Sequence, residues 1–191
     1  MQQRMTALRC GVIALTLALG SGAAIAKEIR GVTYPDELNV GGHELKLVGV
    51  GLRTKWFFKV YTLGAYSKSG KKSARALVGA NETKFIWLRM LREISAEKMN
   101  DALNDGFENN TSEEQLAALR DRIATLRSYI PETLTKGLDI GFTYRPGEGT
   151  LVTIGNTPKG TIPGRDFARA LFAIWFGGKP ADSSLKRSVL E

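Results

Sequence analysis

Cysteine and histidine are almost absent from this chain: Cys10 and His43 are the only two among 191 residues. Zinc fingers, disulfide-rich scaffolds and His/Cys metal clusters need ligands that are not here, so no metal site and no cofactor is expected. A Ser-His-Asp device would have to use His43, and a Cys-His pair would have to recruit Cys10. His43 itself stands beside Gly41-Gly42 and reads as a turn residue. No apolar run reaches the roughly 20 residues that a spanning helix requires. What remains is 43% apolar and 24% charged, the composition of a folded globular protein with one core.

The first 26 residues read as an export signal. Arg4 and Arg9 precede the apolar run Cys10–Leu19, small residues follow, and Ala24-Ile25-Ala26 ends before the charged pair Lys27-Glu28. A basic start, a short apolar stretch and an Ala-x-Ala ending have the form of a cleaved secretory signal. Cleavage is expected after Ala26 and the periplasm is the expected location, with no stable membrane anchor. The whole chain has 27 basic and 19 acidic side chains and a net charge of +8. Its basic residues are scattered, in pairs such as Lys71-Lys72 and Lys186-Arg187, and phosphate recognition needs a concentrated stripe. No nucleic-acid partner is expected, and the oligomeric state is not readable.

Residues 27–191 are expected to form a single domain. Lys27 to Tyr66 is strand-like, with turns at Pro35-Asp36 and Gly41-Gly42. One strand is expected over Glu44–Gly51 and another over Lys55–Tyr66, with Arg53 between the turn-like Val48-Gly49-Val50-Gly51 and the aromatic stretch Trp56–Tyr66. A short helix follows near Ser73–Val78, then a strand over Thr83–Leu91. Ser95 is a good N-cap for a helix carrying Met99, Leu103 and Phe107. Thr111 with Glu114 suggests a capping box for the next, whose stripe Leu116, Leu119, Ile123, Leu126, Ile130 suits packing on a sheet. Gly141–Arg145 and Thr150–Ile154 read as a hairpin. Arg165–Phe176 is an almost wholly apolar helix, either buried on several sides or lining a cleft. A short helix starts at Ala181-Asp182-Ser183. Strands first, then helices, then strand and helix indicate α+β.

Chemistry concentrates after Gly51. A regular strand would place Arg53, Lys55, Phe57, Lys59, Tyr61 and Leu63 on one face, and Thr54, Trp56, Phe58, Val60, Thr62 and Tyr66 on a core face. An Arg, two Lys and a phenol beside apolar groups suit a small anion. The competing reading is a solvated sheet face on which the charges snorkel. Lys98 and Asp101 read as a solvated helix pair, and Trp87 and Trp175 as core aromatics.

These residues resemble the chalcone isomerase-like family, in its exported bacterial branch. The resemblance rests on Gly49-Val50-Gly51-Leu52-Arg53 with Phe57–Tyr66, and on Gly160-Thr161-Ile162-Pro163-Gly164 with Phe167–Gly177, Pro180 and Leu185. It implies an open-faced β-sandwich: a large antiparallel sheet with helices layered on one face and a cleft between. Plant members close a flavanone ring using an Arg for the phenolate, a Thr and a Tyr at a carbonyl-bound water, and an Asn with a second hydroxyl at the far end. Matched residue by residue, the Arg falls on Arg53 and the Thr on Tyr61. The catalytic Tyr falls near Met99, the Asn near Gly106 and the last hydroxyl near Arg165. Each lost donor of this kind costs about 2.7–4 kcal/mol of transition-state stabilisation.

Other members of this fold are non-catalytic and bind fatty acids through the Arg and a Tyr. The resemblance therefore favours binding of a small amphipathic anion, a fatty acid or a phenolic acid. Arg53 and Tyr61 would hold its charge, Lys55 and Lys59 would add positive potential, and Trp56 or Phe57, Met99, Phe167, Leu171 and Trp175 would line the apolar part. A ring-closing isomerase with Arg53 and Tyr61 as catalytic residues is the second reading, and a non-catalytic envelope interaction module the third.

Overall fold

Two glycines explain the architecture around the longest strand. Gly49 and Gly51 lie on one face of that strand, where a Cβ would come within 2.1 Å and 2.8 Å of the carbonyl oxygens of Val189 and Leu185 in the C-terminal helix. Only a strand without side chains there lets a helix backbone settle directly on it. The computed structural model describes residues 26–191. Residues 1–25 of the expected signal segment lie outside the described residues, and the expected cleavage point follows Ala26, the first residue described.

In chain order the elements are β1 (Ala26–Ile29), β2 (Val32–Pro35), β3 (Glu37–Val40), β4 (His43–Lys55), β5 (Phe58–Ser67), α1 (Ala74–Gly79), β6 (Lys84–Met90), β7 (Ile94–Ser95), α2 (Ala96–Asn110) and α3 (Glu113–Ser128). Then follow β8 (Thr133–Leu134), β9 (Asp139–Arg145), β10 (Gly149–Ile154), β11 (Thr157–Ile162), α4 (Arg165–Phe176) and α5 (Ser183–Leu190). A seven-stranded antiparallel sheet has the order β11-β10-β9-β6-β5-β4-β3. This is an α+β fold: a large curled antiparallel sheet with helices layered against it.

The helix face of the sheet carries Tyr61, Leu63 and Ala65 from β5, Ile86, Leu88 and Met90 from β6, and Ile140, Phe142 and Tyr144 from β9, all within one buried cluster. Helix α4 fills that cluster: every residue from Phe167 to Phe176 except Arg169 is buried. It is buried on several sides, against α1, α2, α5 and β10. At its crossing with α2, a Cβ on Gly106 would come within 2.6 Å of the Ile174 side chain. Helix α3 packs mainly on α2 and the edge strand β11 rather than on the sheet's broad face. Its cap is Ser112, which accepts from the Gln115 amide at 3.3 Å, one residue later than the Thr111–Glu114 box.

The opposite face of the sheet is partly covered as well. The β1–β2 hairpin lays Tyr34 over it in a second cluster with Leu45, Val50 and Tyr66. The Tyr34 hydroxyl and the Thr62 hydroxyl are 2.8 Å apart, and its ring meets Trp87 edge-on at 4.8 Å between centroids. Trp87 in turn donates to Asp139 at 2.7 Å, and Asp139 also pairs with Arg89. Thr62 and Tyr66 thus have core surroundings, but so do Tyr61 and Leu63: β5 is buried on both faces.

Candidate functional site

The face assignment around Arg53 needs a correction. Val48–Gly51 is strand interior, and β4 runs through to Lys55. The chain turns at Trp56-Phe57, so Arg53 and Tyr61 lie on two different strands. They still share a face, because they are directly opposed in the antiparallel register. Beyond Arg53 the pairing shifts by one residue, with Thr54 opposite Lys59 and Lys55 opposite Phe58. A bulge of this kind re-aims side chains near a sheet edge.

The C-terminal helix anchors Arg53 from one side. Gly49 and Gly51 let α5 lie on β4, which brings the loop before α5 beside Arg53. The guanidinium donates through Nη1 to the carbonyl of Ala181. The neighbouring Thr54 amide donates to Asp182 at 3.1 Å, and Asp182 also caps α5 by accepting from the amides of Ser184 and Leu185 at 2.9 and 3.0 Å. Burial works against the Asp182 charge, but the hydrogen bonds from Ser184, Leu185 and Thr54 hold its carboxyl below the ordinary range. One carboxylate therefore fixes both the start of the helix and the end of the strand.

Helix α4 anchors Tyr61 from the other side. The Trp175 indole N–H donates to the Tyr61 hydroxyl at 2.8 Å. The phenol accepts this bond, and among the described residues no acceptor is found for its own proton. Burial raises its pKa, a shift that nearby Arg53 and the Trp175 hydrogen bond only partly offset. Tyr61 therefore stays protonated, with its O–H available to donate.

Both groups border a cavity of about 370 Å³ between the β4–β5 hairpin and the start of α2. Its walls are Trp56, Phe58, Val60, Ile94, Met99 and Ala102, with Lys55, Arg92, Glu93, Lys98 and Asp101 toward its rim. Including Arg53, that makes four cationic residues against two carboxylates. Met99 is 5% exposed and forms part of the wall. Arg92 lies over the Phe58 ring, 4.4 Å from its centroid. The volume falls within the range of about 300–1,000 Å³ usual for small-molecule sites. Apolar walls with an anchored Arg and a phenol donor at one end suit an amphipathic anion.

Other sequence-derived candidates lie elsewhere. Phe167 and Leu171 are fully buried in the main core and do not line this cavity; Phe167 stacks near Phe107, with centroids 6.0 Å apart. Lys59 is exposed and Phe57 points away, so of the Trp56/Phe57 alternative it is Trp56 that reaches the cavity. Lys98 and Asp101 form no ion pair; both border the cavity. Gly106 sits at the α2–α4 crossing, and Arg165 donates to the carbonyl of Gly79 at 2.9 Å on another side of the molecule. The lining residues missed from sequence, Arg92, Glu93, Ile94, Lys98, Asp101 and Ala102, come from the connection after β6 and the first turns of α2, where Met99 was expected. The only available signal was that Ser95 starts a helix, which brings Lys98, Met99 and Ala102 onto adjacent faces.

Comparison with known proteins follows the same lines. A family model described as chalcone isomerase-like matches residues 26–191. No curated protein matches the chain. Among solved structures, the fatty-acid binding protein AtFAP1 of Arabidopsis thaliana superposes with a TM-score of 0.65 at 15% identity, covering 87% of this chain and 96% of its own.

Proposed function

The chain belongs to the chalcone isomerase-like family, and on that premise we propose that it binds a small amphipathic carboxylate, a fatty acid or a phenolic acid, in the cavity between the β4–β5 hairpin and α2. The observation that carries this reading is the pair of pre-anchored donors. Ala181 holds Arg53 and Trp175 holds Tyr61, so both point at one end of an apolar cavity without having to be ordered by the ligand. Arg53 pairs with the carboxylate, Tyr61 donates its hydroxyl proton in a hydrogen bond to it, and Lys55 adds positive potential. Met99, Ile94 and Trp56 take the apolar part. A carboxylate needs few donors, whereas ring closure needs several aimed at the developing charge. With an unreactive thioether at Met99, binding without turnover is the simpler use of this cavity. The site works in the periplasm, where the N-terminal signal directs it.

The test is titration calorimetry with palmitate, with a hydroxycinnamate and with their methyl esters, on the wild type and on Arg53→Ala. One acid binds more tightly than its ester, and Arg53→Ala lowers its affinity by about 10- to 100-fold, the worth of hydrogen bonds to a charged group. Equal binding of acid and ester, or unchanged affinity in Arg53→Ala, overturns the reading.

A further inference from the structure

The tip of the β4–β5 hairpin presents three aromatic side chains to solvent in succession: Trp56 is 84% exposed, Phe57 94% and Phe58 57%. Among the described residues these are the exposed large hydrophobics. Scattered single exposures are ordinary, but three adjacent aromatics at a projecting tip are not. The tip is also held in a costly shape. Trp56 has φ +59, in the left-handed region that a bulky residue rarely adopts, where glycine is the usual choice. That conformation keeps the turn tight, with Trp56 and Phe58 on the cavity side and Phe57 directed outward. Lys55 and Lys59 flank the three rings, and Arg92 and Lys98 stand close behind on the rim of the cavity.

We propose that this hairpin tip docks the protein reversibly on an anionic lipid bilayer surface, with the Trp and Phe rings entering the interface and Lys55, Lys59 and Arg92 meeting the acidic headgroups. Trp rings favour the headgroup boundary, and each nearby Lys or Arg strengthens attachment to anionic lipid. The flanking charges distinguish this partner from an apolar protein groove, which would leave the two lysines without counter-charges. The contact is peripheral: no helix among the described residues is long and apolar enough to cross a membrane. Because Trp56 and Phe58 belong both to the tip and to the cavity wall, docking places the cavity mouth at the level where amphipathic molecules reside. The docking itself does not depend on what the cavity holds.

The experiment uses the protein expressed from its full sequence and recovered after export, its N terminus read by intact mass. It is sedimented with vesicles of phosphatidylcholine alone and with phosphatidylglycerol added. The wild type partitions onto the anionic vesicles. Trp56→Ser/Phe57→Ser weakens this by about 100-fold, as expected for two lost interfacial rings. Lys55→Gln/Lys59→Gln weakens it by about 30-fold on anionic vesicles only. Brominated acyl chains quench fluorescence in the wild type but not in Trp56→Phe. Phe57 lies outside the cavity, so Phe57→Ser loses vesicle binding while keeping carboxylate affinity; this separates failure of docking from failure of the ligand reading. Thermal unfolding of each variant checks that the fold is retained. Wild-type protein left in the supernatant with both vesicle types overturns the proposal. So does equal partitioning of wild type and variants, or a dimer that Phe57→Ser dissociates without any vesicle binding.

Discussion

Lys84 and Arg53 stand at opposite ends of the same sheet face, and each donates to a main-chain carbonyl beside a short helix. Their surroundings differ in one respect. Lys84 is 1% exposed, and its ammonium donates to the carbonyls of Leu77 at 2.7 Å and Val78 at 3.4 Å, the last turn of α1. The Phe172 and Tyr144 rings lie 4.9 and 5.5 Å from it. Every direction around this cation is occupied, so it closes a helix end that would otherwise be left unpaired. Arg53 has one partner of this kind and turns the rest of its guanidinium toward open volume. A cation enclosed on all sides is part of the scaffold; one anchored on a single side and open on the other keeps donors available.

The largest effect that tests this contrast is on stability. Lys84→Ala removes the cap and leaves buried carbonyls unpaired in a new cavity, costing about 3 kcal/mol in denaturant unfolding while carboxylate binding at Arg53 is kept. Loss of ligand affinity with full stability would reverse the two roles.

The pH dependence comes next. Burial, with Arg165 and Arg169 nearby, pushes the Lys84 pKa down to about 8 from 10.5. Above pH 8 the unfolded chain holds a proton that the folded one has released, so stability rises between pH 8 and 10, by on the order of 2 kcal/mol. Buried tyrosines act in the opposite sense at higher pH. Burial raises Tyr34 to about 12 and also raises Tyr61 and Tyr66, so the stability they contribute is present below pH 10 and lost as pH climbs above it. Unfolding midpoints measured from pH 7 to 11 therefore pass through a maximum near pH 10. In Lys84→Met the rising limb disappears and the falling one stays.

Gly51→Ala sharpens the other side of the comparison. Its Cβ pushes α5 off β4, costing about 1–2 kcal/mol, and carries Ala181 away from Arg53, so carboxylate affinity falls although no lining residue has changed. The smallest effect is that of Tyr61→Phe. It removes one donor and the acceptor of Trp175, lowering stability by about 1 kcal/mol and ligand affinity by up to about tenfold. A stability loss without any affinity change would make Tyr61 a scaffold residue like Lys84.

Much of the fold could be read directly from local signals. Helix α4 is bounded by Gly164 and Gly177 and was legible to the residue. Ser73, Ser95 and Asp182 cap their helices as side chains of that kind do, and the β9–β10 hairpin followed from its Pro-Gly turn. Failures occurred where a distant element changed the meaning of a residue. Gly49 and Gly51 looked like a turn because glycine ordinarily marks one, and nothing local reveals a helix from the other end of the chain lying on them. The same limit hid the split of the aromatic strand at Trp56-Phe57, since a Trp at positive φ is not what turn chemistry predicts.

Arg53 and Tyr61 stand out together in the sequence because their types suit an anion, and they border one cavity, although on separate strands. Phe167 and Leu171 are core residues instead: an apolar helix can be core or lining, and periodicity cannot distinguish the two. Composition and pattern alone determined that this chain folds as α+β and carries a cationic, aromatic segment after Gly51. Those properties depend on residue type and short-range spacing. Which polar groups have all their hydrogen bonds used and which keep a donor toward open space was decided only by the tertiary structure. The anchors themselves, Ala181 for Arg53 and Trp175 for Tyr61, lie more than a hundred residues along the chain.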